Sequence, residues 1–277
     1  MNVRLVETGG IELYTESFGD SDRPCILLIM GATASMIWWD EEFCKKLAAT
    51  GRFVIRYDNR DTGKSTSKSA LDYDIVDMAD DAAAILDAYG IEKAHIVGVS
   101  LGGMIAQILA LRHTERIMTI TALASGIFAD RADLPAIDQK VLDYHAAFAD
   151  VDLSDRKNLI RYLAEGWRVI KGSKNEFDEA RIYRLAEQDV DRANNISSMF
   201  NHAQLAGGEK YYDRIKDINV PVLIIHGTED IVLPKEHAMA LAEEVENSQL
   251  FWIEGAGHEI HGNDWNFIIE KIEKHTR

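Results

Sequence analysis

AHIVGVSLGGMIAQI, residues 94–108, places one serine, Ser100, between two glycines, Gly98 and Gly102. The residues before Ser100 form an apolar run typical of a buried strand, and those after it read as a helix. Ser100 therefore falls on a strand-to-helix turn, the context in which a G-x-S-x-G pattern forms a sharp bend that exposes the serine hydroxyl. The alternative interpretation is an ordinary serine at a helix N-terminus.

Short apolar runs alternate with helix-like segments on both sides of this turn. Residues 38–50, 73–89, 102–113, 235–244 and 265–275 are predicted helices. The predicted strands, of which the first two are expected to form an antiparallel edge, are IELYTESFG, PCILLIM, FVIRYD, AHIVGV, IMTITALA, VPVLIIHG and QLFWIEG. Such alternation is typical of an α/β fold with a mostly parallel sheet flanked by helices.

The middle of the chain breaks this alternation. Residues 125–207 contain no convincing strand, and four stretches in it read as amphipathic helices: 133–149, 155–170, 175–190 and 191–206. We therefore predict a helical cap (125–207) inserted between two core strands, with the core formed by residues 1–124 and 208–277. The alternative is a set of extra surface helices with no covering role.

Composition excludes several classes of function. The chain has 277 residues, 47% of them hydrophobic, and 30 basic against 46 acidic side chains, which gives a formal charge of −16. This charge disfavours binding to nucleic acid or to an anionic membrane surface. No signal-peptide pattern or membrane-spanning apolar run is evident, so a cytoplasmic monomer or homodimer is expected. Cys25 and Cys44 suggest core packing rather than a disulfide framework or a zinc site.

A serine hydroxyl needs a base, and the base needs an orienting carboxylate, before it becomes a useful nucleophile. On such a sheet the expected chain order is serine, acid, histidine. Asp230, in the loop that follows the strand VPVLIIHG, is the candidate acid, with Glu229 as its rival. His258, in FWIEGAGHEIH, follows a glycine-containing bend and is the candidate base, with His261 as the runner-up.

The other histidines are assigned no catalytic role. His226 is interpreted as structural. Five others are placed in strands or helices away from the carboxyl ends of the predicted strands: His95, His113, His202, His237 and His275. His258 and His261 lack the spacing of a helical zinc motif. Neither a metal nor a cofactor is predicted.

The remaining site assignments concern the substrate. Backbone N–H groups of Leu101, directly after the serine, and of Ala32, in the loop GATAS, are the predicted oxyanion donors. Four large apolar residues near that loop are pocket candidates: Met30, Met36, Trp38 and Trp39. Core packing is the equal alternative for each of these four.

Together, GVSLGG, HGTED and GAGHE resemble the α/β-hydrolase superfamily over the whole chain. That resemblance implies an eight-stranded sheet, with residues 125–207 at the position of the family's variable cap. The segments VIRYDNRDTGKST and IMGATASMIWWDEEF resemble the aclacinomycin methylesterase group. Two departures from the wider superfamily match that group: Asp61 stands where D-x-R-G-x-G-x-S has glycine, and Met30 stands where His-Gly has histidine.

The implied activity is hydrolysis of a carboxylic ester of a small or medium apolar substrate, with methyl esters as candidates. Lactonases, C–C bond hydrolases and cofactor-free perhydrolases use the same three residue types, so they remain alternatives. A member of the fold that binds a ligand without turnover is the alternative from another class.

Overall fold

A computed structural model describes residues 1–277 and contains one eight-stranded sheet. The strands are β1 (Asn2–Thr8), β2 (Ile11–Phe18), β3 (Cys25–Ile29), β4 (Phe53–Tyr57), β5 (Ala94–Val99), β6 (Ile117–Leu123), β7 (Val222–Gly227) and β8 (Ser248–Ile253). They lie in the order β1-β2-β4-β3-β5-β6-β7-β8, with β3 to β8 parallel to one another. The predicted mostly parallel α/β sheet is confirmed.

Eight α-helices accompany the sheet. They are α1 (Glu41–Ala48), α2 (Ile75–Ala88), α3 (Leu101–Arg112), α4 (Gln139–Ala147), α5 (Arg156–Ile170), α6 (Glu179–Arg192), α7 (Lys235–Glu244) and α8 (Trp265–His275). Local chemistry sets several starts: Asp74 and Asp77 form a reciprocal capping box at α2, and Asp40 caps α1. None of the helices combines the length and the apolar character needed to span a bilayer.

The antiparallel edge differs in detail from the sequence prediction. It consists of β1 and β2, paired from Asn2↔Ser17 to Thr8↔Ile11, whereas PCILLIM lies inside the sheet as β3. Strand β1 was not predicted from the sequence; its apolar residues are mostly exposed, and only Val6 is buried. An edge strand of this kind lacks the buried run that marks the central strands.

The core lies on both faces of the sheet. In β3, Leu27 and Ile29 point into a cluster of 38 buried residues that includes α2 and α3, while Ile26 and Leu28 point into a second cluster of 27. This alternation follows from the two-residue period of a strand. The second cluster includes side chains of α1, α8, α5 and α6.

The segment between β6 and β7, which we call the insertion (residues 124–221), contains no strand. It carries α4, α5 and α6, followed by 3₁₀ segments at Ile196–Gln204 and Glu209–Asp217. The fourth predicted helix, 191–206, is therefore not one helix: residues 191 and 192 end α6, and a 3₁₀ segment follows at Ile196–Gln204. Its Ser198 Oγ lies 2.9 Å from the carbonyl oxygen of Asp61, in the core, and 2.6 Å from that of Asn195, so its one hydroxyl hydrogen is shared between these two acceptors.

Candidate active site

Ser100 occupies the turn between β5 and α3 in a backbone conformation that side chains rarely adopt, with φ 51° and ψ −120°. Its side chain makes no hydrogen bond that caps α3, so the ordinary N-cap interpretation does not describe it. The backbone around it is held, since Ser100 N–H donates to the carbonyl of Leu123 (3.0 Å) and Ser125 Oγ donates to the carbonyl of Ser100 (2.7 Å). Strain of this kind persists only where the surrounding structure enforces it.

The flanking glycines are required by close backbone contacts. A Cβ at Gly98 would overlap the carbonyl group of Gly102, and a Cβ at Gly102 would overlap the carbonyl of Ile29. The strand end and the helix start therefore approach each other more closely than any side chain allows. This contact places Ser100 at the first turn of α3, where backbone N–H groups lack helical partners.

Asp230 lies in the loop after β7 and contacts a histidine. Its Oδ2 accepts a hydrogen bond from Nδ1 of His258 (2.7 Å), while Oδ1 accepts from the N–H groups of Val232 and Leu233, both at 2.9 Å. Burial raises the pKa of Asp230, but the His258 imidazole and these hydrogen bonds lower it by more, so the net pKa is below its usual value. Asp230 is therefore a carboxylate at neutral pH.

His258 lies in a loop that follows β8 and is held by the insertion. Its backbone N–H donates to the carbonyl of Ile170 (2.9 Å), and the preceding bend includes Gly255 at φ 72°. The two rival residues make other contacts: Glu229 accepts hydrogen bonds from Ser173, and Nδ1 of His261 accepts the N–H of Asn263. The structure thus pairs Asp230 with His258.

The two N–H groups predicted as oxyanion donors flank the serine. Gly31 packs against Ser100, because a Cβ at Gly31 would lie 3.2 Å from Ser100 Cβ and 3.9 Å from its Oγ. Ala32 follows directly, and Leu101 is the first residue of α3. None of the backbone hydrogen bonds in the turns and loops uses the N–H of Ala32. Leu101 lies in the first turn of α3, where backbone N–H groups lack helical partners.

A cavity of about 40 Å³ lies between this edge of the sheet and the insertion. Seven of its fifteen lining residues are apolar: Met30, Trp38, Val99, Trp167, Phe177, Ile182 and Ile260. The other eight are polar or charged: Lys171, Asn175, Glu176, Asp178, Arg181, His258, Glu259 and His261. Sites for drug-sized ligands have volumes of about 300–1,000 Å³. The cavity is therefore smaller than such a site.

The four pocket candidates separate into two pairs. Met30 and Trp38 line the cavity, and the Trp38 ring lies 4.7 Å from the Trp167 ring of α5, centroid to centroid. Met36 and Trp39 do not line it; both are almost fully buried, and Trp39 stacks on Phe43 at 5.4 Å. Their positions within one short stretch explain the split, because successive side chains of a turn point in different directions.

Three polar side chains contact the loops of the site, and the sequence did not predict these contacts. Asp189 of α6 accepts hydrogen bonds from Ser35 Oγ and Trp38 Nε1 at 2.5 and 2.8 Å. His202 accepts the N–H of Thr33 (3.0 Å), and Nε2 of His226 lies 3.3 Å from Asp230 Oδ2. Only for His226 was there a sequence signal, its place four residues before Asp230. No group of three or more His, Cys, Asp and Glu side chains forms a metal-binding cluster.

Comparison with known proteins adds the family context. A family model described as alpha/beta hydrolase fold matches residues 24–264. Rhodomycin D methylesterases from Streptomyces sp. (strain C5) and Streptomyces peucetius are 32% and 30% identical to this chain over 300 residues, covering 100% of this chain and 99% of each relative. The crystal structure of an esterase from Rhodococcus sp. ECU1013 superposes with a TM-score of 0.81 at 21% identity, covering 100% of this chain and 98% of that one.

Proposed function

Because the chain belongs to the α/β-hydrolase fold family, we propose that it is a serine hydrolase that cleaves a carboxylic ester through an acyl-enzyme on Ser100. The observation that carries the proposal is the hydrogen bond of 2.7 Å between Asp230 and His258. His258 lines the same cavity as Val99, which directly precedes Ser100 in the strained turn. All three residues follow strands whose carboxyl ends lie at the same edge of the sheet, where α/β folds bind ligands. The resemblance to methylesterases supports an ester substrate.

The bond to Asp230 defines the chemistry of His258. Because an ionised carboxylate only accepts hydrogen bonds, Nδ1 of His258 carries the proton and Nε2 is left as the base. Nε2 removes the proton of Ser100 as Oγ attacks the ester carbonyl, and the resulting imidazolium then protonates the leaving alcohol. In the second stage, water gives a proton to His258 as it attacks the acyl-enzyme carbonyl. His258 then passes this proton to Ser100 Oγ, which restores the serine hydroxyl and releases the acid product.

The N–H groups of Ala32 and Leu101 bind the oxyanion in this proposal. Leu101 directly follows Ser100 and begins α3, and Ala32 follows Gly31, which packs against Ser100. In this role they donate to the negative oxygen of each tetrahedral intermediate. Loss of one such donor typically lowers the rate about 10²- to 10³-fold.

We assign residues 125–207 the role of a cap over the site. Trp167, Phe177 and Ile182 of this segment line the same cavity as Met30 and Trp38. These side chains favour a small or medium apolar ester, and the likeness to rhodomycin D methylesterases makes methyl esters the first class to assay.

The test uses a fluorophosphonate probe, which labels activated serines. The wild-type protein should be labelled and should hydrolyse p-nitrophenyl acetate, whereas Ser100→Ala should do neither. Ser248→Ala is the matched control, because Ser248 begins β8 at the opposite edge of the sheet, and it should be labelled normally. Failure of the wild type in both assays would remove the enzyme proposal and leave ligand binding without turnover.

A substrate panel then separates the reaction types that share these residues. Methyl, aryl and lactone esters of increasing size should be hydrolysed with a preference for open-chain esters. A labelled protein that opens lactones but leaves methyl esters intact would replace the esterase with a lactonase.

A further inference from the structure

The peptide that carries the Ala32 N–H lies between two peptides that buried side chains hold. On one side Asn59 Nδ2 donates to the carbonyl of Met30 (3.0 Å). On the other side the N–H of Thr33 donates to Nδ1 of His202 (3.0 Å). A peptide unit is planar, so fixing its neighbours restricts the direction in which its own N–H points.

His202 has one possible protonation pattern in this arrangement. Its Nε2 lies 2.8 Å from the carbonyl oxygen of Arg60, which can only accept a hydrogen bond, so Nε2 carries a proton. Its Nδ1 receives the N–H of Thr33, so Nδ1 is the unprotonated acceptor. The ring is thus neutral, and burial, which lowers its pKa, favours that state.

Thr33 has a backbone conformation that needs support. Its φ is 62°, in the left-handed region, where a β-branched residue is a genuine outlier. Its hydroxyl donates to the carbonyl of Ala32 (2.6 Å), and its N–H is the group that His202 accepts. Without that acceptor, the Ala32–Thr33 peptide is free to relax toward an ordinary conformation.

We infer that His202 is a positioning residue: by accepting the Thr33 N–H it holds the Ala32 N–H in the direction of the oxyanion. This inference rests on the proposed function of Ala32 as an oxyanion donor. His202 belongs to the 3₁₀ segment Ile196–Gln204, so the insertion orients the catalytic loop in addition to covering it. Asp189 holds a different part of the loop, since its partners are Ser35 and the cavity residue Trp38.

Two substitutions of His202 test its two hydrogen bonds separately. In His202→Asn the amide oxygen is bonded to Cγ, as Nδ1 is, so this variant keeps an acceptor for Thr33 and loses the Arg60 contact. In His202→Gln the amide nitrogen reaches the position of Nε2, so this variant keeps the Arg60 contact and loses the acceptor. Packing changes are similar in the two variants, which makes them a matched pair.

His202→Gln should lower kcat by about 10- to 100-fold with little change in KM, since the donor is misdirected and not removed. His202→Asn should keep kcat near the wild-type value even if its melting temperature falls. The affinity for an alkyl boronic acid, which forms a tetrahedral adduct on serine, should fall in His202→Gln by the same factor as kcat/KM. Rates are divided by the fraction of protein that a fluorophosphonate labels at completion.

His275→Leu is the control for loss of stability alone. His275 ends α8, and its Nε2 bonds to the carbonyl of Ile120, so its loss should lower stability and leave boronate affinity unchanged. Wild-type kcat in His202→Gln, or equal losses in the Asn and Gln variants, would overturn the inference. Both outcomes differ from failure of the proposed function, which would show first as activity retained in Ser100→Ala.

Discussion

His95 is a buried histidine whose ring is only half satisfied. It lies on β5, is 2% exposed, and its Nδ1 lies 2.9 Å from Oγ1 of Thr119 on the neighbouring strand. Its Nε2 has no hydrogen-bond partner. Burial, with smaller contributions from Arg52 and His275, lowers the pKa of His95 to about 4. The folded protein therefore keeps this ring neutral at pH values where an exposed histidine is charged.

The pKa of His95 predicts how stability changes with pH. Between the unfolded value of about 6.5 and the folded value of about 4, the unfolded chain binds a proton that the folded chain does not. The free energy of unfolding therefore falls as pH falls through this range, and this contribution stops changing below pH 4. His95→Asn keeps a polar partner for Thr119 and removes the titration. For His95→Asn, the slope of the unfolding free energy against pH should be smaller than for the wild type, by up to the amount that corresponds to one bound proton.

Urea unfolding at several pH values between 4 and 7 measures this slope. Other histidines whose pKa is lowered remain in both proteins, so only the difference between the curves is informative: His145, His202, His226, His261 and His275. Parallel curves for the wild type and His95→Asn would show that His95 is protonated in the folded state at an ordinary pH.

Asp61 shows how a departure from a family pattern is accommodated. It stands where the wider superfamily has glycine, and its φ of 65° is one that glycine adopts freely. The carboxylate is fully buried and accepts hydrogen bonds from Tyr73 Oη (2.8 Å) and Asn201 Nδ2 (2.9 Å). Asn201 comes from the insertion, so the substitution of glycine by Asp61 adds a link between core and insertion that the local sequence does not reveal.

At the scale of elements, the turn between β5 and α3 is the most restricted junction of the fold. Gly98→Ala would force a Cβ against the backbone of Gly102 and Gly103, and backbone atoms cannot swing aside as a side chain can. We expect the free energy of unfolding to fall by about 3 kcal/mol or more, as at other overpacked or strained core sites. Chemical unfolding monitored by tryptophan fluorescence measures it.

Gly166→Ala is the matched control for this substitution. Gly166 lies inside α5, and a Cβ there would meet only the Tyr144 ring, at an ordinary distance of 3.5 Å. Alanine in a helix interior is favoured over glycine by about 0.5–1 kcal/mol, so Gly166→Ala should be neutral or stabilising. Equal stability of the two variants would contradict the close backbone contact at Gly98.

Elements with a strong local pattern were predictable, and those shaped by long-range contacts were not. The predicted helices 235–244 and 265–275 have these bounds in the structure. In the second, the buried residues Trp265, Ile268, Ile269 and Ile272 follow a clear helical period. Residues 191–206 have a helical pattern too, but contacts of Ser198 and Asn201 with Asp61 accompany a 3₁₀ path. The strand β1 escaped prediction since most of its apolar side chains stay exposed.

For the molecule as a whole, the sequence predicts the fold and proposes three site residues by their order along the chain. Motif order identifies Asp230 and His258 as candidates, and their contact of 2.7 Å joins positions 28 residues apart. The supports of the loop after β3 are different: His202 and Asp189 lie 169 and 151 residues from their partners. Sequence spacing does not predict contacts between residues so far apart, so only the folded structure reveals these pairs.

The insertion is joined to the core by a buried ion pair, which has a matched exposed pair between α5 and α6. Arg192 of α6 donates to both oxygens of Asp58 at 2.9 and 2.7 Å, and the Asp58 side chain is 0% exposed. Arg156 makes a similar two-bond contact with Asp191 at 2.7 and 2.8 Å, but both side chains are about half exposed (49% and 57%).

Arg192→Leu should therefore destabilise the protein far more than Arg156→Leu. Removing Arg192 leaves the Asp58 carboxylate buried with only the N–H groups of Met36 and Lys64, and breaking a buried pair typically costs about 3–5 kcal/mol. Exposed pairs contribute about 0–1 kcal/mol, so Arg156→Leu should change little. Urea unfolding measures both. Adding Asp58→Asn to Arg192→Leu should recover part of the loss, because the uncompensated charge is then absent. Equal effects of the two leucine variants would mean that water reaches Asp58 and that this ion pair contributes little to holding the insertion on the core.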